Sequence, residues 1–192
     1  MKTGERLVTE RLLIRSWTLS NTDRAFFHFI CSNFPGRRFY PDRLSRKEAD
    51  ERLETIVGRA DSRAMDWGVA CLKQSGEQIG FTGLSPFEFN APFSPGVEIG
   101  WQFDPAHWGK GYATEAARAL IDYGFSQCWL NQIFAFAVAD NLASIAVMQR
   151  AGMKAVEGGE FDHPQVPESH PQLKKHVLYD ITKDRWLAGA SR

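Results

Sequence analysis

The sequence lacks an excess of charge of either sign. Its 192 residues contain 23 Lys and Arg against 23 Asp and Glu, so the formal net charge at pH 7 is zero. A neutral chain exerts no long-range attraction on a phosphate polymer, and nucleic acid is therefore not expected as the main partner. The length suits one domain spanning residues 1–192, and a hydrophobic content of 43% is normal for a globular protein.

Long apolar runs are also missing. No segment approaches the roughly 20 apolar residues that a helix needs to cross a bilayer. The N-terminal stretch MKTGERLVTERLLIRSW has charged residues throughout and therefore no apolar signal-peptide region. We expect no membrane partner and a cytoplasmic location.

Cysteine is scarce, and its spacing offers no motif. Cys31, Cys71 and Cys128 are odd in number and far apart, and no C-x-x-C pair is present. This pattern favours buried, reduced thiols over a disulfide framework. Nothing near any of the three supports a catalytic cysteine.

What the sequence does contain is an ordered series of strand and helix patterns. Strands are predicted over TERLLIRSW, DWGVACLK, EQIGFTGLSPFEF, VEIGWQF, NQIFAFAVA and KKHVLYDIT, the second and third joined by a hairpin at Gln74–Gly76. Helices are predicted after Ser20, after Ser45, after residue 111 and after Asn141. A meander followed by alternating strands and helices indicates one α/β domain on a mixed sheet. The segment NQIFAFAVA, apolar at nearly every position, should lie in the middle of it.

The segment DPAHWGKGYATEAARAL, residues 104–120, places a glycine-rich turn between a predicted strand and a predicted helix. The first N–H groups of a helix have no intrahelical partner, and the helix dipole adds positive charge there. Gly109 and Gly111 lack a side chain, so a ligand can approach the backbone. A phosphate or pyrophosphate site is expected. The alternative is a turn that only lets the helix pack closely on the sheet.

Two common phosphate motifs do not fit this turn. A Walker A loop requires G-x-x-x-x-G-K-S/T, but Lys110 is followed by Gly111. The dinucleotide fingerprint requires a third glycine where GKGYAT has Thr114, and no acidic residue ends a following strand about 20 residues further on. A binder of nucleotide phosphates is therefore a weaker hypothesis.

The runs VEIGWQFDPAHWGKGYATEAARALIDYGF, ADNLASIAVMQRAGM and TERLLIRSW resemble the GNAT superfamily of acyl-CoA-dependent N-acetyltransferases, and in particular its Rim-type branch of ribosomal-protein N-terminal acetyltransferases. The resemblance spans residues 7–186. It implies a central, mostly antiparallel sheet that is flanked by helices and has a splayed pair of parallel strands. It also implies acetyl-CoA as co-substrate, direct transfer to a primary amine of a small molecule or protein N-terminus, and no metal. The acceptor and the oligomeric state, homodimer included, stay open.

The resemblance also assigns contacts to the cofactor. The pyrophosphate loop of the family falls on Trp108, Gly111 and Ala113, with Trp108 where Gln or Arg is commoner, so backbone donors should carry the contact. The strand before the loop should pair with the pantetheine arm, and Asn141 should cap the next helix and contact the cofactor. The implied cofactor residues are Trp101, Gln102, Phe103, Trp108, Gly109, Lys110, Gly111, Tyr112, Ala113, Thr114 and Asn141.

Amide formation from a thioester needs a base, because most amines are protonated near neutral pH. Glu98 lies in mid-strand between Val97 and Ile99, an odd place for a carboxylate unless it faces a cleft. It aligns with the glutamate base of the family, and partial burial would raise its pKa. The alternative is a strand glutamate that pairs with an arginine or faces solvent.

The leaving thiolate needs a proton, and the usual donor is missing. Many members of the superfamily have a tyrosine seven residues after the capping asparagine, where this chain has Met148, which cannot donate a proton. Ser144 matches the serine proposed as the acid in Rim-type enzymes. Its hydroxyl could instead satisfy only a local backbone group. Because this tyrosine is missing, an alternative hypothesis stays open, in which the protein is a non-catalytic acyl-CoA-binding or sensing module.

The segment 157–172 is predicted to be an ordered loop or lid. Asp162 and His163 are expected to lie in it near the acceptor pocket, where a carboxylate would attract a cationic amine. Tyr179, on the last strand, is expected either to join that pocket or to pack in the core. His170 and His176 share no metal-ligand spacing with this pair, so no metal site is predicted.

Overall fold

A nine-stranded sheet organises the chain. The computed structural model describes residues 6–60 and 66–190. Its strands are β1 (Arg6–Val8), β2 (Leu12–Ser16), β3 (Trp67–Leu72), β4 (Gln78–Phe87), β5 (Gly96–Phe103), β6 (Gln132–Val138), β7 (Lys154–Ala155), β8 (Phe161–Asp162) and β9 (Lys175–Thr182). They join in the order β1-β2-β3-β4-β5-β6-β9-β7, and β8 also pairs with β9.

The sheet is antiparallel except at one junction. Strands β1 to β5 form a meander, and β6 pairs with β9 antiparallel along its whole length. Strands β5 and β6 run parallel, and their register is recorded at a single pair, Glu98 opposite Phe134. This confirms the predicted mixed sheet, its splayed parallel pair and the central position of β6.

The helices begin where the sequence places capping residues. They are α1 (Asn21–Ser32), α2 (Phe34–Arg37), α3 (Arg46–Ala60), α4 (Tyr112–Ser126), α5 (Leu142–Arg150) and α6 (Lys183–Ala190). Ser20 accepts a hydrogen bond from the Asp23 N–H at 3.2 Å. Ser45 and Glu48 form the predicted reciprocal capping box, with bonds of 2.8 and 3.3 Å. Among the described residues, no helix is long and apolar enough to cross a membrane.

Helices cover both faces of the sheet and enclose two cores. The larger core packs α4 and α5 on one face, with Leu120, Ile133 and Met148 almost wholly buried. The second core packs α1 and α3 on the other face, around Ile30 and Leu53. Because side chains alternate along a strand, successive residues of β5 serve opposite faces.

A third cluster, built from phenylalanines, closes the sheet beside the end of β4. Phe87, Phe134 and Leu178 are buried, and Phe89, Phe93, Phe136 and Phe161 pack against them. Phe89 and Phe161 stack with ring centroids 6.1 Å apart. Phe161 belongs to the two-residue strand β8, so part of the predicted loop 157–172 is sheet instead.

The structure corrects two predictions at the ends of the chain. The predicted first strand over residues 9–17 is shorter, Leu12–Ser16, because the Thr9 N–H and the Leu12 carbonyl close a turn at 2.9 Å between β1 and β2. The C-terminal helix α6 was not predicted. It follows β9 with no turn residue between them, and Thr182, the last residue of β9, accepts from the Arg185 N–H at 3.4 Å.

The three cysteines are reduced thiols, as predicted. Cys31 and Cys71 are buried, and Cys128 is partly buried.

Gly100→Ala is expected to destabilise the protein by about 1–3 kcal/mol, the usual cost of overpacking. A Cβ at Gly100 would lie 2.7 Å from Cη2 of the Trp67 indole, which rests on this glycine. The control is Gly58→Ala in α3, where a Cβ would meet nothing within 4 Å. The control should gain roughly 0.5–1 kcal/mol. Urea unfolding measures both, and equal effects would contradict this packing.

Candidate active site

The opening between β5 and β6 exposes backbone groups of β5. The Gly100 carbonyl accepts from the Thr82 hydroxyl at 2.8 Å, and the Asp104 N–H donates to the Ile79 carbonyl at 2.9 Å. Even-numbered residues here therefore direct their backbone groups toward β4. Because neighbouring residues point in opposite directions, the backbone groups of Trp101 face the opening.

The glycine-rich turn lies at the end of β5 and leads into α4. Gly109 and Gly111 have φ values of 74° and 83°, a conformation that side-chain-bearing residues rarely adopt. Within the described residues, the first helical donor is the Glu115 N–H, bonded to the Gly111 carbonyl at 3.0 Å. The backbone N–H groups of residues 109 to 114 precede it and have no hydrogen-bond acceptor in the described part of the chain. Unpaired N–H groups at a helix N-terminus are the arrangement that the predicted anion site requires.

Trp108 attaches this turn to the strand. Its indole N–H donates to the Phe103 carbonyl at 2.7 Å, while the rest of the side chain is exposed. The tryptophan that replaces the commoner polar residue thus holds the backbone of the turn. The Lys110 side chain is exposed.

Arg11, from a distant part of the chain, holds the turn in place, a role that was not predicted from the sequence. Its guanidinium bonds to the Glu115 carboxylate at 2.6 Å and donates to the Lys110 carbonyl at 2.9 Å. It also lies over the Tyr112 ring, 4.7 Å from the centroid. About a hundred residues separate Arg11 from its partners, so no local pattern could have indicated the contact.

Across the opening, the start of α5 presents polar groups. The Asn141 side chain accepts from the Ser144 N–H at 3.2 Å and caps the helix, as predicted. The Ser144 hydroxyl makes no hydrogen bond to the described part of the chain, so its alternative role as a local backbone partner is not supported. Met148 is 2% exposed and packs beside them.

One cavity of about 560 Å³ connects the opening between the strands with the start of α5, while the residues of the glycine-rich turn lie outside its wall. Its wall includes Glu98 and Trp101 from β5 and Asn141, Ser144 and Met148 from the region of α5. It continues beneath α1 and α3, on the face of the sheet that carries Glu98 and Gly100. A single space thus joins the opening between the strands to a chamber that could receive a second molecule.

Glu98 lies partly buried in the wall of this cavity. No hydrogen bond or ion pair to its carboxylate is found among the described residues, so neither predicted alternative, an arginine partner or free solvent, describes it. Burial raises its pKa to about 7, against the opposing positive charge of Arg52. A carboxyl group with this pKa can accept a proton near neutral pH.

His163 and His176 form a neutral pair in the same wall, with ring centroids 4.9 Å apart. Burial, and then the proximity of His176, lowers the pKa of His163 to about 4. Burial also lowers the pKa of His176. The structure therefore places the predicted residue His163 at the cavity as an uncharged ring. Within the described residues, no group of His, Cys, Asp or Glu could hold a metal ion.

Three other predicted residues are not brought to the cavity. Asp162 is exposed on β8 and lies outside the cavity wall. Tyr179 faces the larger core, where its hydroxyl accepts from the Gln149 amide at 3.3 Å. Gln102 directs its side chain to the Ile30 carbonyl at 2.6 Å. In each case the alternation of side chains along a strand decides the face.

A parted parallel pair beside a glycine turn at a helix terminus is the arrangement that the resemblance implied for an acyl-CoA-dependent transferase. The family model for the acetyltransferase (GNAT) domain matches residues 11–154, and the chain belongs to this family. The uncharacterized N-acetyltransferase YoaA of Bacillus subtilis is 30% identical over 151 residues, covering 77% of this chain and 82% of that protein. Acetyl-CoA-dependent N-acetylation is the activity of this class.

Solved structures have the same fold. A GNAT-family acetyltransferase from Bacillus anthracis superposes with a TM-score of 0.77 at 25% identity, covering 94% of this chain and 99% of that one. A ribosomal alpha-N-protein acetyltransferase, RimL, in complex with coenzyme A, has a TM-score of 0.76 at 15% identity, covering 94% and 99%. At this identity the likeness to RimL shows a shared fold.

Glu98→Gln is expected to stabilise the protein at pH 8 by up to about 3 kcal/mol, the free energy that corresponds to the shift in the pKa of Glu98 on folding. The pKa of Glu98 rises from 4.5 to about 7 on folding, so ionising this group opposes folding. The wild type therefore loses stability as the pH rises from 4.5 to 7, whereas the neutral amide loses none. Urea unfolding at pH 8 and at pH 4.5 measures the difference. An equal difference at both values would contradict a titrating Glu98.

Proposed function

We propose that this protein transfers an acetyl group from acetyl-CoA to a primary amine, of a small molecule or a protein N-terminus, by direct attack in a ternary complex. The observation that carries the proposal is the single cavity in which Glu98 and the parted strands meet. The amine enters the chamber beneath α1 and α3, and the thioester reaches it through the opening between the strands.

The cofactor is held mainly by backbone. Its diphosphate binds the unpaired N–H groups of residues 109–114, where the helix dipole adds positive charge. Its pantetheine arm pairs with the backbone of Trp101 as an added strand, because β6 has left that edge of β5 unpaired. Asn141, at the start of α5, lies on the other side of the arm.

Glu98 is the base in this proposal. It takes a proton from the attacking amine, whose nitrogen then forms a bond to the thioester carbonyl carbon. The free N–H of Trp101 is placed to donate to the carbonyl oxygen as negative charge develops there. The carbon–sulfur bond breaks, and coenzyme A leaves as a thiolate.

Ser144 supplies the proton that the thiolate needs. The supporting observations are its place in the cavity wall and its unengaged hydroxyl. The buried Met148 occupies the neighbouring position and has no proton to give.

The direct test of the activity is a coenzyme A release assay against a panel of amines that includes peptides with free N-termini. We expect turnover that depends on both acetyl-CoA and amine, with no added metal. Binding of acetyl-CoA without turnover on any amine would contradict the proposal and favour an acyl-CoA sensor.

Glu98→Gln should lower kcat/KM by about 10²–10⁴-fold, the usual contribution of a positioned base. The wild-type rate should rise with pH through about 7, because Glu98 must be ionised to act, and the variant should lack this limb. Arg52 and Tyr40 are the charged and titratable groups that interact electrostatically with Glu98. The affinity for coenzyme A should be unchanged, and calorimetry provides that control. A pH profile shared by both proteins would contradict the assignment.

Arg11→Ala should weaken coenzyme A binding roughly tenfold, which corresponds to about 1.4 kcal/mol. The variant loses the bonds that hold the Lys110 carbonyl and Glu115 in place, so the N–H groups of the turn are no longer preorganised. Arg46→Ala is the matched control, because Arg46 is exposed and pairs only with Asp50 in its own helix. Calorimetric titration with coenzyme A compares the two variants. Equal affinities of the two variants for coenzyme A would contradict this role of Arg11.

A further inference from the structure

Among the described residues, the acceptor chamber is lined by charged groups of both signs. Arg37, Arg52 and Arg59 line it, as do three acidic residues, Asp66, Glu88 and Glu98. A polycationic acceptor would place its charges beside the arginines, and a polyanionic one beside the carboxylates. A molecule that carries one charge of each sign matches this lining best.

One face of α3 supplies part of the positive side. Arg52, Ile56 and Arg59 are spaced four and three residues apart, so they share the helix face that borders the chamber. Arg37 is already engaged, since its guanidinium donates to the Asp42 carbonyl at 2.9 Å and lies on the Tyr40 ring. Arg52 has no hydrogen bond or ion pair within residues 6–60 and 66–190, and it is exposed to the chamber.

Arg52 and Glu98 border the same space without closing an ion pair. The charge of Arg52 is close enough to act on Glu98. The two side chains therefore present opposite charges to one cavity, and no direct ion pair joins them within the described residues. A ligand whose amine faces Glu98 and whose anionic group faces Arg52 would pair with both.

Aromatic side chains line the space between the charges. The walls include Phe27, Phe39, Tyr40, Trp67 and Phe81. Trp67 and Phe81 meet edge to face with ring centroids 5.9 Å apart. Such walls favour a flat or bulky apolar body over an extended polar chain.

We propose that the acceptor is a primary amine that also carries a carboxylate and an aromatic or bulky apolar group, the chemistry of an apolar amino acid. Arg52 binds the carboxylate, and Glu98 receives the amine. The inference rests on the acetyl transfer proposed above and specifies its substrate class.

The test compares L-phenylalanine with phenethylamine, which differs from it by lacking the carboxylate. Spermidine and a peptide with a free N-terminus complete the panel. We expect kcat/KM, corrected for the fraction of free amine, to be at least about tenfold higher for phenylalanine. Arg52→Gln should abolish this preference, mainly by raising KM for phenylalanine. The ratio of the two substrates is the readout, since any effect of Arg52 on Glu98 acts on both. Arg46→Gln, on the same helix but outside the chamber, should keep the preference.

Calorimetric binding of L-phenylalanine to the protein saturated with coenzyme A separates recognition from turnover. Equal or better turnover of phenethylamine, spermidine or the peptide would overturn the inference and leave acetyl transfer standing. Retention of the preference in Arg52→Gln would do the same. Phenylalanine binding that depends on Arg52, without turnover of any amine, would overturn acetyl transfer and leave the recognition. The absence of both phenylalanine binding and amine turnover would overturn both proposals.

Discussion

The parting of β5 and β6 is the constraint on which the site depends. After the pair Glu98–Phe134 no further register is recorded between these strands, so the edge of β5 at Trp101 loses the partner that a continuous sheet would give it. Unpaired backbone groups inside a protein are costly unless another molecule satisfies them. The same gap brings Glu98, otherwise enclosed between two layers, into contact with a cavity that reaches the start of α5.

The glycine-rich turn has a definite shape because two side chains hold its backbone. Two glycines permit its positive φ values, but they do not by themselves select one conformation. Trp108 attaches the turn to the end of β5, and Arg11 attaches it to the turn between β1 and β2. Both contacts end on backbone carbonyls and therefore position the chain while leaving its N–H groups available to a ligand.

The chemistry of Glu98 depends on what surrounds it. Burial alone raises the pKa of this carboxyl group, and Arg52 limits the rise. The same arginine borders the acceptor chamber, so one charge adjusts the proposed base and attracts the proposed substrate. Aromatic walls reduce the water around both groups, which strengthens their electrostatic influence.

Local patterns in the sequence predicted much of the fold and part of the candidate site. The order of strands and helices, the capping residues, the glycine turn and the unusual mid-strand Glu98 are all visible there. The resemblance to a known family then supplied the splayed strands, the helix cap at Asn141 and the proposed role of Ser144. Folding in three dimensions decided the rest. The contact of Arg11 with the turn and the faces taken by Tyr179 and Gln102 depend on strand register and on pairs of residues far apart in the chain. Such contacts leave no periodic signal, because the energy that selects them arises only when distant segments pack together.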